Sequence, residues 1–117
     1  MRIKTKAEQL WLNIKTKKLA LFELKLCSDG SYNIGHGKMD YPYQKKKSCL
    51  KNHYMLQLYL EKLCLEHTFD VIVEEAGVII INSFKKIKLK FLKPWVEKKK
   101  DKLIDRIQQV TGANHNE

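Results

Sequence analysis

Two runs of alternating apolar and polar residues near the start of the chain predict a pair of strands. The first run covers residues 9–15 and the second covers residues 19–27, with a polar turn at residues 15–18 between them. Side chains alternate between the two faces of a strand, so the apolar positions of the second run are expected to form one core-facing row. These positions are Ala20, Phe22, Leu24 and Leu26.

The first of these runs is also compatible with a helix. Thr5 and Glu8 have the spacing of a capping box, and a helix over residues 7–14 would place Leu10 and Trp11 on one face. Propensity alone does not decide between the strand and the helix. The polar turn between two alternating runs favours adjacent antiparallel strands, and this is the arrangement that we predict.

A long helical pattern covers residues 48–67, after a turn at residues 28–31 and an irregular stretch. Residues 31–47 contain two glycines, Gly35 and Gly37, together with Pro42, which predicts a mobile loop or a short irregular hairpin. Ser48 is a suitable N-cap for the helix. Few polar positions follow residue 53, and a helix that is apolar nearly all round is typically buried against a sheet.

The second half of the chain predicts three further strands and a final helix. Two β-rich runs, residues 69–74 and 78–82, flank Glu75-Ala76-Gly77 with the spacing of a hairpin. Residues 86–92 alternate lysines with apolar residues, which indicates a half-buried strand with one cationic face. A last helix is expected from Pro94 to Gly112. This order of elements predicts an α+β fold.

Length and composition are those of one globular domain. The chain has 117 residues, of which 44% are hydrophobic and 31% charged. No apolar run is long enough to cross a membrane, and charged residues follow Met1 where a secretory signal would be apolar. Three cysteines without a CxxC motif favour reduced thiols. We therefore expect an intracellular, reducing location, in the cytoplasm or nucleus, and no secretion.

The excess of positive charge is the first indication of function. The formal net charge is +10, and all the basic residues except Arg2 and Arg106 are lysines. Such an excess favours a polyanionic partner, with nucleic acid ahead of an acidic membrane surface. Lysine suits phosphates, whereas bidentate reading of bases prefers arginine. We therefore expect backbone contacts with nucleic acid, unless the lysine excess only reflects the composition of the genome.

Most motifs with catalytic potential fail on spacing. Cys49 with His53 and Cys64 with His67 could each begin a zinc site, but the two pairs lie too far apart on one helix to share an ion. Ordinary buried thiols are the favoured interpretation. The sequence around Gly35 and Gly37 lacks the remainder of a phosphate-binding loop.

Glu23 and Lys25 remain as candidate catalytic residues. Their spacing of two places a carboxylate and an ammonium group on one face of the second strand, and Glu8 precedes the neighbouring strand. Two carboxylates and a lysine can hold Mg²⁺ and position a water molecule for attack on a phosphodiester. A surface ion pair between Glu23 and Lys25, with little energetic value, is the alternative.

The order of these features over residues 3–106 resembles the core of the PD-(D/E)XK nuclease superfamily, within it the RecB-like and viral-exonuclease branch. Members have an acidic residue that opens a strand, a second strand with (D/E)xK, and a helix with a glutamine. The matching segments here are residues 7–13 (AEQLWLN), residues 21–25 (LFELK) and residues 52–59 (NHYMLQLY). The resemblance implies a restriction-endonuclease-like core: a mixed sheet with a buried central helix and a C-terminal helix.

The resemblance also implies roles for individual residues. Glu8 and Glu23 would be ligands of Mg²⁺ or Mn²⁺, with the backbone carbonyl of Leu24 as a third ligand. Lys25 would orient the water molecule or stabilise charge on the phosphate, and Gln57 would project toward the site. The sequence departs from the family at Glu8, where members have aspartate, and at Glu61, where many have tyrosine.

The expected activity is that of a sequence-nonspecific, metal-dependent DNA nuclease. Residues 1–112 would form a single nuclease-like domain and residues 113–117 a disordered tail. A homodimer or a larger nuclease–helicase assembly is a possible setting, and no membrane contact is expected. The alternative is an inactive nuclease-like module that binds nucleic acid or a partner protein as an inhibitor or adaptor. The predicted phosphate contacts are Lys45, Lys46, Lys47, Lys86, Lys88 and Lys90.

Overall fold

A four-stranded mixed sheet and a small two-stranded sheet organise the chain. The structure is a computed structural model that describes residues 9–12, 18–27, 34–82 and 86–112, with only the backbone described for residues 9–12, 27, 111 and 112. The strands are β1 (Gln9–Leu12), β2 (Leu19–Cys27), β3 (Gly35–Lys38), β4 (Lys47–Cys49), β5 (Val73–Asn82) and β6 (Ile87–Phe91). The helices are α1 (Leu50–Phe69), α2 (Pro94–Glu97) and α3 (Lys100–Ile107), followed by a π-helical turn at Gln108–Gly112.

The larger sheet has the order β1-β2-β5-β6. The pair β1–β2 is antiparallel, with Gln9 opposite Phe22, and the pair β5–β6 is antiparallel as well. Between them β2 and β5 run parallel, and the crossover that joins them contains the small hairpin β3–β4 and α1. Residues 9–12 therefore form a strand, as predicted, and the α+β class with a mixed sheet and helices is confirmed.

The buried face of β2 is the opposite of the predicted one. Leu21 is fully buried and packs with Val78 of β5 and with Met55 and Leu58 of α1. The predicted core row is wrong, because Leu24 is 41% exposed and Leu26 is 76% exposed. The predicted row is the more apolar of the two, because the face with Leu21 also bears Glu23 and Lys25. The face with Leu21 is nevertheless the covered one, because α1 packs on that side.

Helix α1 is buried on two sides, as its apolar pattern predicts. Met55 and Leu58 pack on the sheet, whereas Tyr59 and Leu63 belong to a second cluster with Val96 of α2 and Leu103 of α3. The predicted N-cap is wrong. Cys49 occupies that position without a side-chain cap, and the hydroxyl of Ser48 pairs instead with Nε2 of His53 at 2.9 Å.

Two predictions for the second half of the chain are also wrong. Glu75, Ala76 and Gly77 continue β5 and form no hairpin, because they pair with β2, and Gly77 is buried against Phe22 and Leu89. A Cβ atom at Gly77 would lie 3.1 Å from Cδ1 of Leu89, so this close packing favours glycine. The last helix is interrupted between α2 and α3.

The strand over residues 86–92 is confirmed as β6, but its predicted half-burial is wrong, because its apolar residues Ile87, Leu89 and Phe91 are 68%, 46% and 48% exposed. The described part of residues 31–47 contains a short irregular hairpin, as predicted, whose register shifts between Gly35 and Lys38. Residues 15–17 of the first turn, the turn at residues 28–31 and the tail at residues 113–117 lie outside the described residues.

Leu58→Ala is expected to lower the free energy of unfolding by about 3 kcal/mol, because it removes a large side chain from the contact between α1 and the sheet. Leu58 is 0% exposed, whereas Leu50 on the same helix is 39% exposed. Urea denaturation of Leu58→Ala measures the loss, and Leu50→Ala is the matched control. Equal effects of the two substitutions would contradict the position of α1 on the sheet.

Alkaline pH is expected to destabilise the protein through two buried tyrosines. Burial raises the pKa of Tyr59 to about 12, with a smaller contribution from Glu97, and burial raises the pKa of Tyr43 as well. An unfolded tyrosine titrates near pH 10. The unfolded state therefore loses its proton first, so the stability contributed by neutral Tyr59 is complete below about pH 10 and is lost toward about pH 12.

For Tyr59 alone this loss amounts to about 2 kcal/mol at pH 12. Urea denaturation at several alkaline pH values measures it. Tyr59→Phe should show a shallower fall of the free energy of unfolding than the wild type, whereas Tyr41→Phe, at an exposed position, should follow the wild type. A wild-type ultraviolet titration in which all tyrosines ionise together near pH 10 would overturn the expectation.

Candidate nucleic-acid interface

Strand β2 places Glu23 and Lys25 on the same face of the sheet, as their spacing predicts, and this face lies under α1. Glu23 is 1% exposed, and neither of its carboxylate oxygens has a hydrogen-bond partner within the described part of the chain. Lys25 is half-buried, with Nζ 5.5 Å from the ring centre of Tyr54 on α1. Glu23 and Lys25 therefore share this face, but the carboxylate of Glu23 accepts no hydrogen bond from Lys25. The alternative of a surface ion pair is wrong, because Glu23 is buried.

The register of the sheet continues this face onto β6. Glu23 is opposite Val78 of β5, and Val78 is opposite Lys90 of β6. In the same way Lys25 is aligned through Ile80 with Lys88. Residues that pair across strands point to the same face, and two strand spacings amount to about 10 Å. Glu23 and Lys25 thus share one sheet face with two lysines of the predicted cationic row.

A basic groove opens on this side of the sheet, with a volume of about 680 Å³. One wall is formed by residues at β4 and the start of α1, and the other by β6 and the segment that follows it. Six of the lining residues are lysines, and none of the lining residues in the described ranges is acidic. The lining consists of Lys46, Lys47, Cys49, Lys51, Asn52, Met55, Lys88, Lys90, Lys93 and Trp95.

The start of α1 adds to the positive potential of this basic groove. The first turn of α1 contains no acidic residue, and Cys49 provides no side-chain cap. The partial positive charge of a helix N-terminus therefore adds to the charge of the neighbouring lysines. Asn52, which also lines the groove, is held by a hydrogen bond of 2.8 Å from Nδ2 to the carbonyl of Lys47. The arrangement suits a polyanion.

The structure brings together four of the six predicted phosphate contacts. Lys46 and Lys47 come from the hairpin, Lys88 and Lys90 from β6, and all four line the basic groove. Lys45 lines a separate, smaller cavity. Lys86 is exposed just before β6 and is not part of either lining.

The predicted phosphate contacts omit Lys51 at the start of α1, and sequence reasoning also missed two lining residues further along the chain, Lys93 and Trp95. They flank Pro94, where the chain leaves β6 and begins α2. The positive charge of Lys93 is the only local indication that this segment lines a basic groove. The approach of the segment to the hairpin depends on the tertiary fold and cannot be predicted from the local sequence.

The remaining predicted site residues are placed as follows. Glu8 lies outside the described residues, and the residue after it, Gln9, pairs with Phe22 next to Glu23. Gln57 is exposed on α1, one turn after Tyr54. Leu24 lies between Glu23 and Lys25 on β2 with its side chain on the opposite, more exposed face. Glu61, at the position where the nuclease family often has tyrosine, is buried.

The described residues alone do not supply a complete set of side-chain metal ligands. No group of three or more His, Cys, Asp and Glu residues within these ranges could hold a metal ion. The buried oxygens of Glu23 are nevertheless suited to a hard cation, because oxygen ligands are those that Mg²⁺ and Mn²⁺ prefer.

Comparisons with protein-family models, with curated proteins and with solved structures give no significant match for this chain. Among the described residues, no helix combines the length and the apolar character that crossing a lipid bilayer requires.

Proposed function

We propose that the protein is a metal-dependent DNA nuclease of the PD-(D/E)XK type, with a restriction-endonuclease-like core and no sequence preference. The observation that carries the proposal is the pair Glu23 and Lys25 on the sheet face that also bears Lys88 and Lys90 of the basic groove. The chain order β1, β2, hairpin β3–β4, α1 and β5, with β2 and β5 parallel, is compatible with this superfamily.

Glu23 is the proposed metal ligand on the strength of its burial. An ionised carboxylate that is buried without a partner is costly, and a bound cation would offset this cost. In the proposal Glu23 and the carbonyl of Leu24 hold Mg²⁺ or Mn²⁺, and Glu8 supplies the second carboxylate. The chemistry supplied by such an ion is polarisation of the phosphodiester and activation of a water molecule.

Lys25 and the groove lysines have different tasks in this proposal. The ammonium group of Lys25, held near the ring of Tyr54, stabilises the negative charge that develops on the attacked phosphate or orients the water molecule. Gln57 acts from α1 as a positioning residue. The lysines of the basic groove neutralise neighbouring phosphates, and because lysine is a point charge they bind the backbone without reading bases.

The proposal is tested by incubating the purified protein with labelled single-stranded and double-stranded DNA in Mg²⁺, Mn²⁺ or EDTA. We expect cleavage with at least one of the two metals and none in EDTA. Binding without cleavage in both metals would contradict the nuclease and favour the second candidate function.

The second candidate is a nucleic-acid-binding module without catalysis. It is favoured by a contrast within the described residues, which line the basic groove with six lysines but provide no group of three side-chain ligands for a metal ion. In this second candidate function, DNA binding depends on the groove lysines as it does in the nuclease, and substitution of Glu23 leaves DNA binding unchanged.

The homodimer, the larger nuclease–helicase assembly and the role as an inhibitor or adaptor remain predictions about partners.

A further inference from the structure

A second cavity adjoins the basic groove and differs from it in character. It has a volume of about 190 Å³, below the range of pockets for drug-sized ligands. Lys46 and Trp95 line both the groove and this smaller cavity. A chain of phosphates in the groove therefore lies next to a compartment with room for one small group.

The inner wall of the smaller cavity is apolar and held in place. It is formed by Pro42, Tyr43 and Trp95. The hydroxyl of Tyr43 donates a hydrogen bond of 2.7 Å to the carbonyl of Val96, and its ring meets that of Trp95 edge-on, with ring centres 5.6 Å apart. The wall is thus fixed by contacts within the protein and requires no ligand to form it.

The rim of the smaller cavity is cationic. Lys45, Lys98 and Lys99 line it, and Nζ of Lys46 lies 5.0 Å from the ring centre of Trp95, at the boundary with the groove. A ligand with a flat apolar part and an attached anion would contact both the wall and the rim. Bases with their phosphates have this chemistry, and aromatic walls in basic grooves are typical of single-strand binding.

We propose that the smaller cavity holds one unpaired base of single-stranded DNA whose neighbouring phosphates continue into the basic groove. The inference rests on the proposed binding of nucleic acid but not on cleavage. In a duplex the bases are paired and stacked, so only an unpaired base can enter the cavity. The proposal therefore gives the protein a preference for single strands that the lysines alone would not provide.

The test reads the environment of Trp95 directly. Trp11→Phe leaves Trp95 as the only tryptophan, since the chain has two. Its fluorescence is followed in EDTA during titration with a short oligothymidylate, with an abasic oligomer of the same length and with a duplex of the same length. We expect quenching by the oligothymidylate only, and binding at least about fivefold tighter than to the abasic oligomer.

Two variants connect this result to the cavity. Trp95→Leu, followed by fluorescence anisotropy of labelled DNA, should abolish the difference between oligothymidylate and abasic oligomer. Because Trp95 also packs against the core, a second variant is needed. Lys98→Gln/Lys99→Gln should weaken oligothymidylate binding about fivefold or more, whereas the charge-matched control Lys100→Gln/Lys102→Gln, outside both linings, should not.

The outcomes separate this inference from the proposed function. Equal binding of the oligothymidylate and the abasic oligomer, without quenching, would overturn the base-binding cavity and leave phosphate binding in the groove intact. Absence of binding by all three ligands would overturn both.

Discussion

Lys25→Ala is expected to lower the rate of metal-dependent DNA cleavage at least about a hundredfold, while DNA binding stays nearly unchanged. Lys25 lies two residues from the buried Glu23 on β2 and is half-buried itself. Its ammonium group is therefore expected to act on the attacked phosphate alone and to contribute little to the overall affinity for DNA. Single-turnover cleavage of labelled DNA measures the rate. Lys102→Ala, at an exposed position on α3, is the control, and cleavage by Lys25→Ala at the wild-type rate would exclude this site.

Glu23→Gln tests whether Glu23 is a metal ligand, independently of cleavage. It replaces a buried carboxylate with a neutral group of nearly the same shape, so in EDTA the variant is expected to be at least as stable as the wild type. Mn²⁺ should raise the melting temperature of the wild type, because a ligand that binds only the folded state stabilises it, and should leave that of the variant unchanged. Equal effects of Mn²⁺ on both proteins would exclude Glu23 as a ligand.

Lys88→Gln/Lys90→Gln is expected to weaken binding to duplex DNA about sixtyfold at 0.1 M salt. Each lost phosphate contact lowers the slope of the logarithm of affinity against the logarithm of salt by about 0.9. The double variant should therefore flatten the slope by about 1.8, alike for unrelated sequences. Fluorescence anisotropy at several salt concentrations measures both quantities.

Two further variants make this measurement specific for the basic groove. Lys100→Gln/Lys102→Gln removes the same charge from α3 outside the groove, and Lys86→Gln removes a charge just beyond its lining. Both should have smaller effects than Lys88→Gln/Lys90→Gln. If all these variants weaken binding by the same amount per charge, the net charge of the protein determines binding and the groove does not.

Local patterns predicted several elements of this fold correctly because those elements depend on local periodicity. The alternation of lysines with apolar residues over residues 86–92 corresponds to β6. The helical pattern over residues 48–67, with apolar residues on nearly all sides, corresponds to α1. The buried face of β2 could not be predicted, because Leu21 and Leu24 are equally apolar and only the position of α1 distinguishes them. The continuity of β5 through Gly77 likewise depends on its pairing with β2.

The candidate site was predictable in part for the same reason. A spacing of two places Glu23 with Lys25, and Lys88 with Lys90, on one face wherever the segment is a strand, and both segments are strands here. That these two pairs share a face follows from the register through β5, which no local pattern contains. Trp95 lines the basic groove and the smaller cavity only because the hairpin approaches α2, so its place in the site is also a property of the tertiary structure.

The parallel pairing of β2 with β5 also has a consequence for how the chain folds. The outer pairs β1–β2 and β5–β6 each join strands that are neighbours in sequence, whereas the hairpin β3–β4 and the whole of α1 separate the two central strands. Loop closure must precede such distant contacts, so the central pair is expected to close late. Glu23 lies on β2, so its carboxylate stays hydrated until β2 pairs with β5. The desolvation of its carboxylate therefore belongs to the final assembly of the sheet, after the local elements have formed.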